Sequence, residues 1–195
     1  MFGAIRGRLK VWLSVGIGTI GAVLVAGLLG AFGALPRPPS PVFPAGNPVV
    51  TGQWVVVPLR AFIASGRIHD LPVKSDQQAL VLEADMTNRT AESSKDYFSL
   101  FQLATPLGGD IDTPFVVLTR DSKMSPELQP GMTERMAYVW MLPKAAKLPA
   151  DISLAVNTQI YKQRDNLYGT PGWFNEHELG RVSVPVESAT AEVKP

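Results

Sequence analysis

The sequence predicts an all-β domain, an immunoglobulin-like antiparallel sandwich, preceded by one N-terminal transmembrane helix. Three observations carry this reading. Residues 11–36 contain no charged side chain. Between about residues 50 and 187, apolar residues recur with a period of two. Seventeen glycines and 17 prolines, many of them gathered between the alternating runs, are more than a helical chain of this length tolerates.

The N-terminus, residues 1–10, is basic through Arg6, Arg8 and Lys10 and holds no acid. Residues 11–35 read VWLSVGIGTIGAVLVAGLLGAFGAL. Roughly 20 residues of helix cross a hydrocarbon core of about 30 Å, so this run is long enough. A charge at its centre would cost about 2.5–3.5 kcal/mol, which gives the absence of charge its meaning. A soluble core helix of this length without a polar face is the weaker reading. The basic flank stays cytoplasmic, so the C-terminal region is extracytoplasmic and the chain is expected in the plasma membrane as a single-pass protein. A cleaved signal peptide shares the layout, but its apolar region runs about 7–15 residues. Phe32 also makes a poor −3 residue for a cut after Ala34. The uncleaved anchor is therefore preferred, with a secreted form as the alternative.

One face of the expected helix carries Ser14, Gly18, Ala22, Ala26, Gly30 and Ala34 at intervals of four. Small residues let helix backbones approach closely, so this stripe is a candidate interface with another transmembrane protein or with a second copy. Gly16 to Gly21 matches GxGxxG, yet no strand precedes it and position 41 is Pro rather than an acid. The dinucleotide reading fails on both counts.

Residues 36–50 form a linker whose prolines (Pro36, Pro38, Pro39, Pro41, Pro44 and Pro48) favour an extended path. The sandwich is expected over residues 51–187 and a loose tail over 188–195. Leu80, Leu82, Ala84 and Met86 alternate with a more polar set; Ile152, Leu154 and Val156 do so too, as do Val182, Val184 and Val186. Further strands are expected at Gln53–Leu59, Phe98–Leu103, Pro114–Leu118 and Thr133–Leu142. Pro58 and Pro185 belong on edges or bulges, because neither offers a ladder donor.

Composition excludes several chemistries. Eighteen Lys and Arg against 17 Asp and Glu leave a formal charge of +1, too little for a nucleic-acid footprint. No cysteine is present, which removes disulfides, thiolate metal sites and thiol nucleophiles. His177 lies in Asn-Glu-His-Glu-Leu, not HExxH, and His69-Asp70 stands alone. Asp110-Ile111-Asp112 opens like a calcium loop but lacks its continuation. Neither GxSxG nor Ser-x-x-Lys occurs. No catalytic residue, metal or cofactor is expected. The aromatic stretch 164–180, with Tyr168, Trp173, Phe174 and His177 among turn formers, is the candidate binding loop. The competing role for these aromatics is to plug one end of the sandwich.

A family resemblance adds to this. The strand ending in Thr87-Asn88, the turn Leu128-Gln129-Pro130-Gly131 and the strand ending in Leu142-Pro143 resemble bacterial secreted or membrane-tethered immunoglobulin-like domains related to the mycobacterial secreted immunogenic protein. The likeness covers roughly residues 50–162. It implies an extracytoplasmic sandwich and supplies no catalytic residues. The expected function is a non-catalytic, membrane-anchored interaction module, an accessory subunit of a bacterial cell-envelope membrane complex. The alternative is a protein that binds cell-wall glycan, lipid or another small ligand.

Overall fold

The structure is a computed structural model that describes residues 19–31, 33, 39–104, 107 and 113–187. The chain divides into two compact units, Met1–Pro39 and Ser40–Pro195.

In the first unit, residues 19–28 form a helix, α1. Its end is a Schellman turn. The Ala31 amide donates to the Ala26 carbonyl at 2.8 Å and the Gly30 amide to Gly27 at 3.0 Å, with Gly30 at φ +80°. Glycine takes this left-handed conformation without a Cβ penalty, so the helix stops short of the expected Leu35. Gly30 therefore sits at the turn and does not continue the small-residue face. Ala22 and Ala26 lie on α1; Ser14, Gly18 and Ala34 lie outside the described residues. Among the described residues no helix is long and apolar enough to cross a membrane. Ile20, Leu24 and Leu28 of α1 are exposed, as is Leu29 in the turn after it.

The second unit is a β-sandwich. In chain order its strands are β1 (Val42–Pro44), β2 (Val49–Val50), β3 (Trp54–Ala64), β4 (Arg67–Ile68), β5 (Leu71–Pro72), β6 (Gln77–Asn88), β7 (Phe101–Leu103), β8 (Phe115–Leu118), β9 (Thr133–Pro143), β10 (Asp151–Lys162) and β11 (Gly172–Glu187). The first sheet runs β3-β6-β9-β8, antiparallel throughout, with β2 added to β3. The second runs β7-β10-β11, with β1 parallel to β11. Strand β11 changes sheets: Arg181–Ser183 pair with β1, whereas Val186–Glu187 pair with Ala61–Phe62 of β3. Pro185 stands between those two sets of partners, where a missing amide costs no ladder bond. Pro58 adjoins the register shift between Pro58 and Arg60. Both prolines thus occupy the irregular positions their chemistry requires.

The core lies between the sheets. Leu80, Leu82, Ala84 and Met86 of β6 and Met136, Tyr138, Trp140 and Leu142 of β9 meet Ile152, Leu154, Val156, Val182 and Val184 from the second sheet. Phe101 of β7 sets its ring edge-on to Tyr138 of β9 across that layer, with centroids 5.0 Å apart. The Tyr138 hydroxyl donates to the Tyr97 carbonyl at 2.9 Å. Burial pushes both the Tyr97 and the Tyr138 phenol well above the ordinary tyrosine range.

The first sheet is also covered on its outer face. The β4–β5 hairpin, turning at His69 and Asp70 with φ of 44° and 62°, brings Ile68, Leu71 and Val73 over Phe62, Val81, Ala137 and Val139. Beyond that cover, Glu83 is 6% exposed and accepts a fork from Arg60 at 2.9 and 3.0 Å. Two of the three motifs behind the family resemblance, Thr87-Asn88 and the Leu128–Gly131 turn, meet in space, whereas Leu142-Pro143 pairs with Gln77-Gln78 at the other end of β6. Asn88, fully buried, donates to the Glu92 and Leu128 carbonyls, both at 2.8 Å, and accepts from the Thr90 amide at 2.9 Å. The Gly131 amide donates to the Asn88 carbonyl at 2.8 Å. Asn88-Arg89-Thr90 fits a glycosylation acceptor in sequence, but here the amide is buried with both hydrogens committed.

Candidate binding site on the β10–β11 hairpin

Strands β10 and β11 pair from Asp151↔Pro185 to Lys162↔Gly172. Their outside neighbours are short. β7 pairs with Leu154–Val156 only, and β1 with Arg181–Ser183 only. Past Asn157 and Gly180, therefore, the hairpin continues as a two-stranded ribbon. The eight steps from Gly180 to Gly172 extend it about 26 Å at ~3.3 Å per residue. Because β1 runs parallel to β11, the chain enters the sandwich travelling away from the ribbon tip.

Asp165 organises the tip. Its Oδ1 accepts from the Leu167 and Tyr168 amides at 2.8 and 3.1 Å, and Lys162 Nζ reaches Oδ2 at 3.1 Å. The Leu167 amide first, then Tyr168 and Lys162, hold this carboxyl below its usual range. Gly169 closes the turn at φ +70° and donates to the Asp165 carbonyl at 2.8 Å. Two ring pairs decorate the ribbon. Tyr168 stacks on Phe174 at 6.3 Å, and Tyr161 packs on Trp173 at 5.3 Å. Lys162 Nζ lies 5.4 Å from the centre of the Phe174 ring. Leu167 is 80% exposed, Tyr168 69%, and Ile160 and Tyr161 51% each.

The stretch expected as a loop is thus largely strand. Trp173, Phe174 and His177 lie on β11, and Tyr168 alone occupies the turn. The expectation misses because a ribbon wet on both faces has no buried face, so its sequence shows no period of two. The four residues also divide by role. Trp173 is half-buried and faces Gly52; a Cβ there would lie 2.6 Å from the indole and 2.3 Å from the Gln159 carbonyl. It fastens the ribbon to the β2–β3 turn, which matches the packing role rather than the docking one. Tyr168 is exposed and stacks on the half-buried Phe174. His177 is exposed, with Nδ1 2.9 Å from the Asn175 carbonyl. His69 sits on the other sheet, in the β4–β5 turn. Among the described residues no group of three or more His, Cys, Asp or Glu is placed to hold a metal ion. Asp110 and Asp112 lie outside the described residues.

Beneath the ribbon is a notch of about 20 Å³ that sequence reasoning missed; Gln53, Asp96, Ser99, Thr158, Gln159 and Glu176 contribute to its walls. Gln53 immediately precedes β3, and its signal, one amide before an apolar strand, is too common to single out.

No family model matches this chain, and no curated protein matches it. Among solved structures, an uncharacterized beta-sandwich protein from Clostridium difficile 630 is similar over 78% of this chain and 99% of its own, at 8% identity and a TM-score of 0.47.

Proposed function

We propose that this protein is a non-catalytic, single-pass membrane-anchored module whose extracytoplasmic sandwich docks onto a protein partner, as an accessory subunit of a bacterial cell-envelope membrane complex. The observation that carries the reading is the ribbon tip. Leu167 and Tyr168 expose apolar surface on a turn that Asp165 already holds in shape, and Ile160 and Tyr161 do so on the adjoining end of β10, so little ordering entropy opposes docking. Exposed aromatics on such a rigid projection are what an interface anchor requires.

The immunoglobulin type is supported by strand order. β3-β6-β9-β8 opposite β7-β10-β11 corresponds to the A-B-E-D and C-F-G sheets of a constant-type domain. The meeting of Asn88 with Leu128 and Gly131 supports kinship with the secreted and tethered bacterial domains. The uncharged run 11–35 behind Arg6, Arg8 and Lys10 supports the anchor and its orientation. The exposed apolar side chains of α1 agree with a lipid or protein environment.

The test is extraction of the full chain from its native membrane in mild detergent. A stoichiometric membrane partner that co-purifies with the parent protein, and is lost from a Leu167→Ser/Tyr168→Ser variant of unchanged thermal midpoint, is the expected result. Equal recovery with both proteins refutes the tip as the docking surface. The stacked Tyr168–Phe174 pair also favours a second reading, a platform for a sugar ring. A lone monomer that retains cell-wall glycan, and loses it in the same variant, would establish that reading instead.

A further inference from the structure

We propose that the notch beneath the β10–β11 ribbon is a site for a hard divalent cation of the calcium class, with Gln53, Asp96 and Glu176 as its protein ligands. The inference goes beyond the docking function and does not depend on it.

The first observation is an orphaned acceptor. Gln53 is 4% exposed, and its Oε1 is buried without a hydrogen-bond partner. Buried carbonyl oxygens without partners are rare and costly. Turning the amide over does not relieve this one. Its Nε2 lies 3.4 Å from Asp96 Oδ2 and 3.3 Å from the Gln159 side-chain amide, so the reversed group would set its oxygen against the Asp96 carboxylate, which has no hydrogen to offer. The acceptor is therefore held where a donor or a cation should meet it.

The second is unbalanced charge. Asp96 and Glu176 line the same notch, both exposed at its mouth, and neither forms an ion pair among the described residues. No Lys, Arg or His lines it, and the side-chain acceptors around it are all oxygens. The Glu176 carboxylate accepts from the Ser99 hydroxyl, a neutral donor standing where a cation would serve better. The ladder is broken to make this arrangement. Register shifts fall between Val156 and Asn157 and between Thr158 and Ile160, and Asn175 takes φ +56° just before Glu176. Sheets keep such irregularities where a side chain must be re-aimed.

Donor chemistry selects the ion. Carboxylate and amide oxygens suit calcium and magnesium, whereas zinc and copper favour the imidazole and thiolate that are missing here. Calcium accepts irregular oxygen sets and completes its shell with water, whereas magnesium demands near-octahedral geometry. The volume of about 20 Å³ admits one water-sized guest. Two carboxylates and one amide make a weak site, in the ~10⁻⁴–10⁻³ M range of extracellular modules.

The test uses the full chain in mild detergent, titrated with Ca²⁺ by calorimetry and with Tb³⁺ by luminescence, since Trp54 lines the notch and can sensitise the lanthanide. One Ca²⁺ should bind in that range, displace Tb³⁺ and raise the thermal midpoint. Asp96→Asn and Glu176→Gln, at exposed positions, should each weaken binding about tenfold or more while the calcium-free midpoint holds. Gln53→Glu should tighten binding and make the midpoint strongly calcium-dependent, because a third carboxylate is then buried without a partner. No heat up to about 10 mM Ca²⁺, well above the expected range, together with no sensitised emission would overturn the proposal and leave the notch to water. Binding that is unchanged in the Asp96→Asn/Glu176→Gln double variant would overturn it as well.

Discussion

Asn88 offers the sharpest test of how this sandwich is fastened. Its side chain joins the end of β6 to two carbonyls and to Thr90, whose amide and hydroxyl both donate to Oδ1, at 2.9 and 2.8 Å. Replacing Asn88 with Ala removes four hydrogen bonds at a fully buried position. Both released carbonyls have another donor at hand: Leu128 O keeps the Ser94 amide at 3.2 Å, and the single hydrogen of the Thr90 hydroxyl, freed from Oδ1, can turn to Glu92 O at 2.8 Å. The loss is therefore smaller than four full bonds, about 2–4 kcal/mol at ~0.5–1.5 kcal/mol each. In a unit of this size that lowers the thermal midpoint by roughly 5–15 °C. Asn88→Asp sharpens the test. It keeps the acceptor for Thr90 but points carboxylate oxygen at two carbonyls, so it should be no more stable than Asn88→Ala at neutral pH. That carboxyl's folded pKa would be raised above its unfolded value near 3.9, so Asn88→Asp regains stability as pH falls through the folded value and the acid becomes a donor. Urea unfolding followed by tryptophan fluorescence reads both variants, because Trp54 and Trp140 are buried at 2% and 1% exposure. An Asn88→Ala variant within about 0.5 kcal/mol of the parent, or an Asn88→Asp variant that outlasts it at neutral pH, would refute the reasoning.

Two further outcomes follow from the packing. Gly52→Ala places a methyl 2.3 Å from the Gln159 carbonyl and 2.6 Å from the Trp173 ring, so the ribbon must shift. A cost of about 1–3 kcal/mol and faster amide exchange over 157–162 are expected; an unchanged urea midpoint would show that Trp173 is not the fastener. The buried phenols of Tyr97 and Tyr138 have folded pKa values above the unfolded value of about 10. Their contribution is intact below that pH and is lost as pH rises beyond it toward the folded values, so the urea midpoint should fall on the alkaline side, less steeply in Tyr138→Phe; parallel curves would remove this account.

Much of the sandwich is legible residue by residue. Leu80, Leu82, Ala84 and Met86 announce β6 because one of its faces is wholly apolar and wholly buried. Phe98–Leu103 is less legible: residues 97–100 turn instead, because Tyr97 is drawn down to donate its hydroxyl to the Pro126 carbonyl. The alternation marks the outer face of β6 only as the more polar one, yet Ala79 and Val81 are buried there under a hairpin no local pattern requires to fold back. In the candidate site, Tyr168 and Phe174 stand out by composition. The separate fate of Trp173 depends on Gly52, more than a hundred residues earlier in the chain.

The amino-acid sequence by itself determined the β character of residues 51–187, the spacing of its turns and the irregular placement of Pro58 and Pro185. These are local consequences of a two-residue period, fixed φ and missing donors. Tertiary structure alone decided that β11 changes sheets, that the β10–β11 ribbon outruns its neighbours, and that Gln53 meets Asp96 and Glu176 in one notch. Those relations join residues far apart in the chain, and the free energy that selects them comes from burying side chains together, a quantity that no stretch of sequence holds alone.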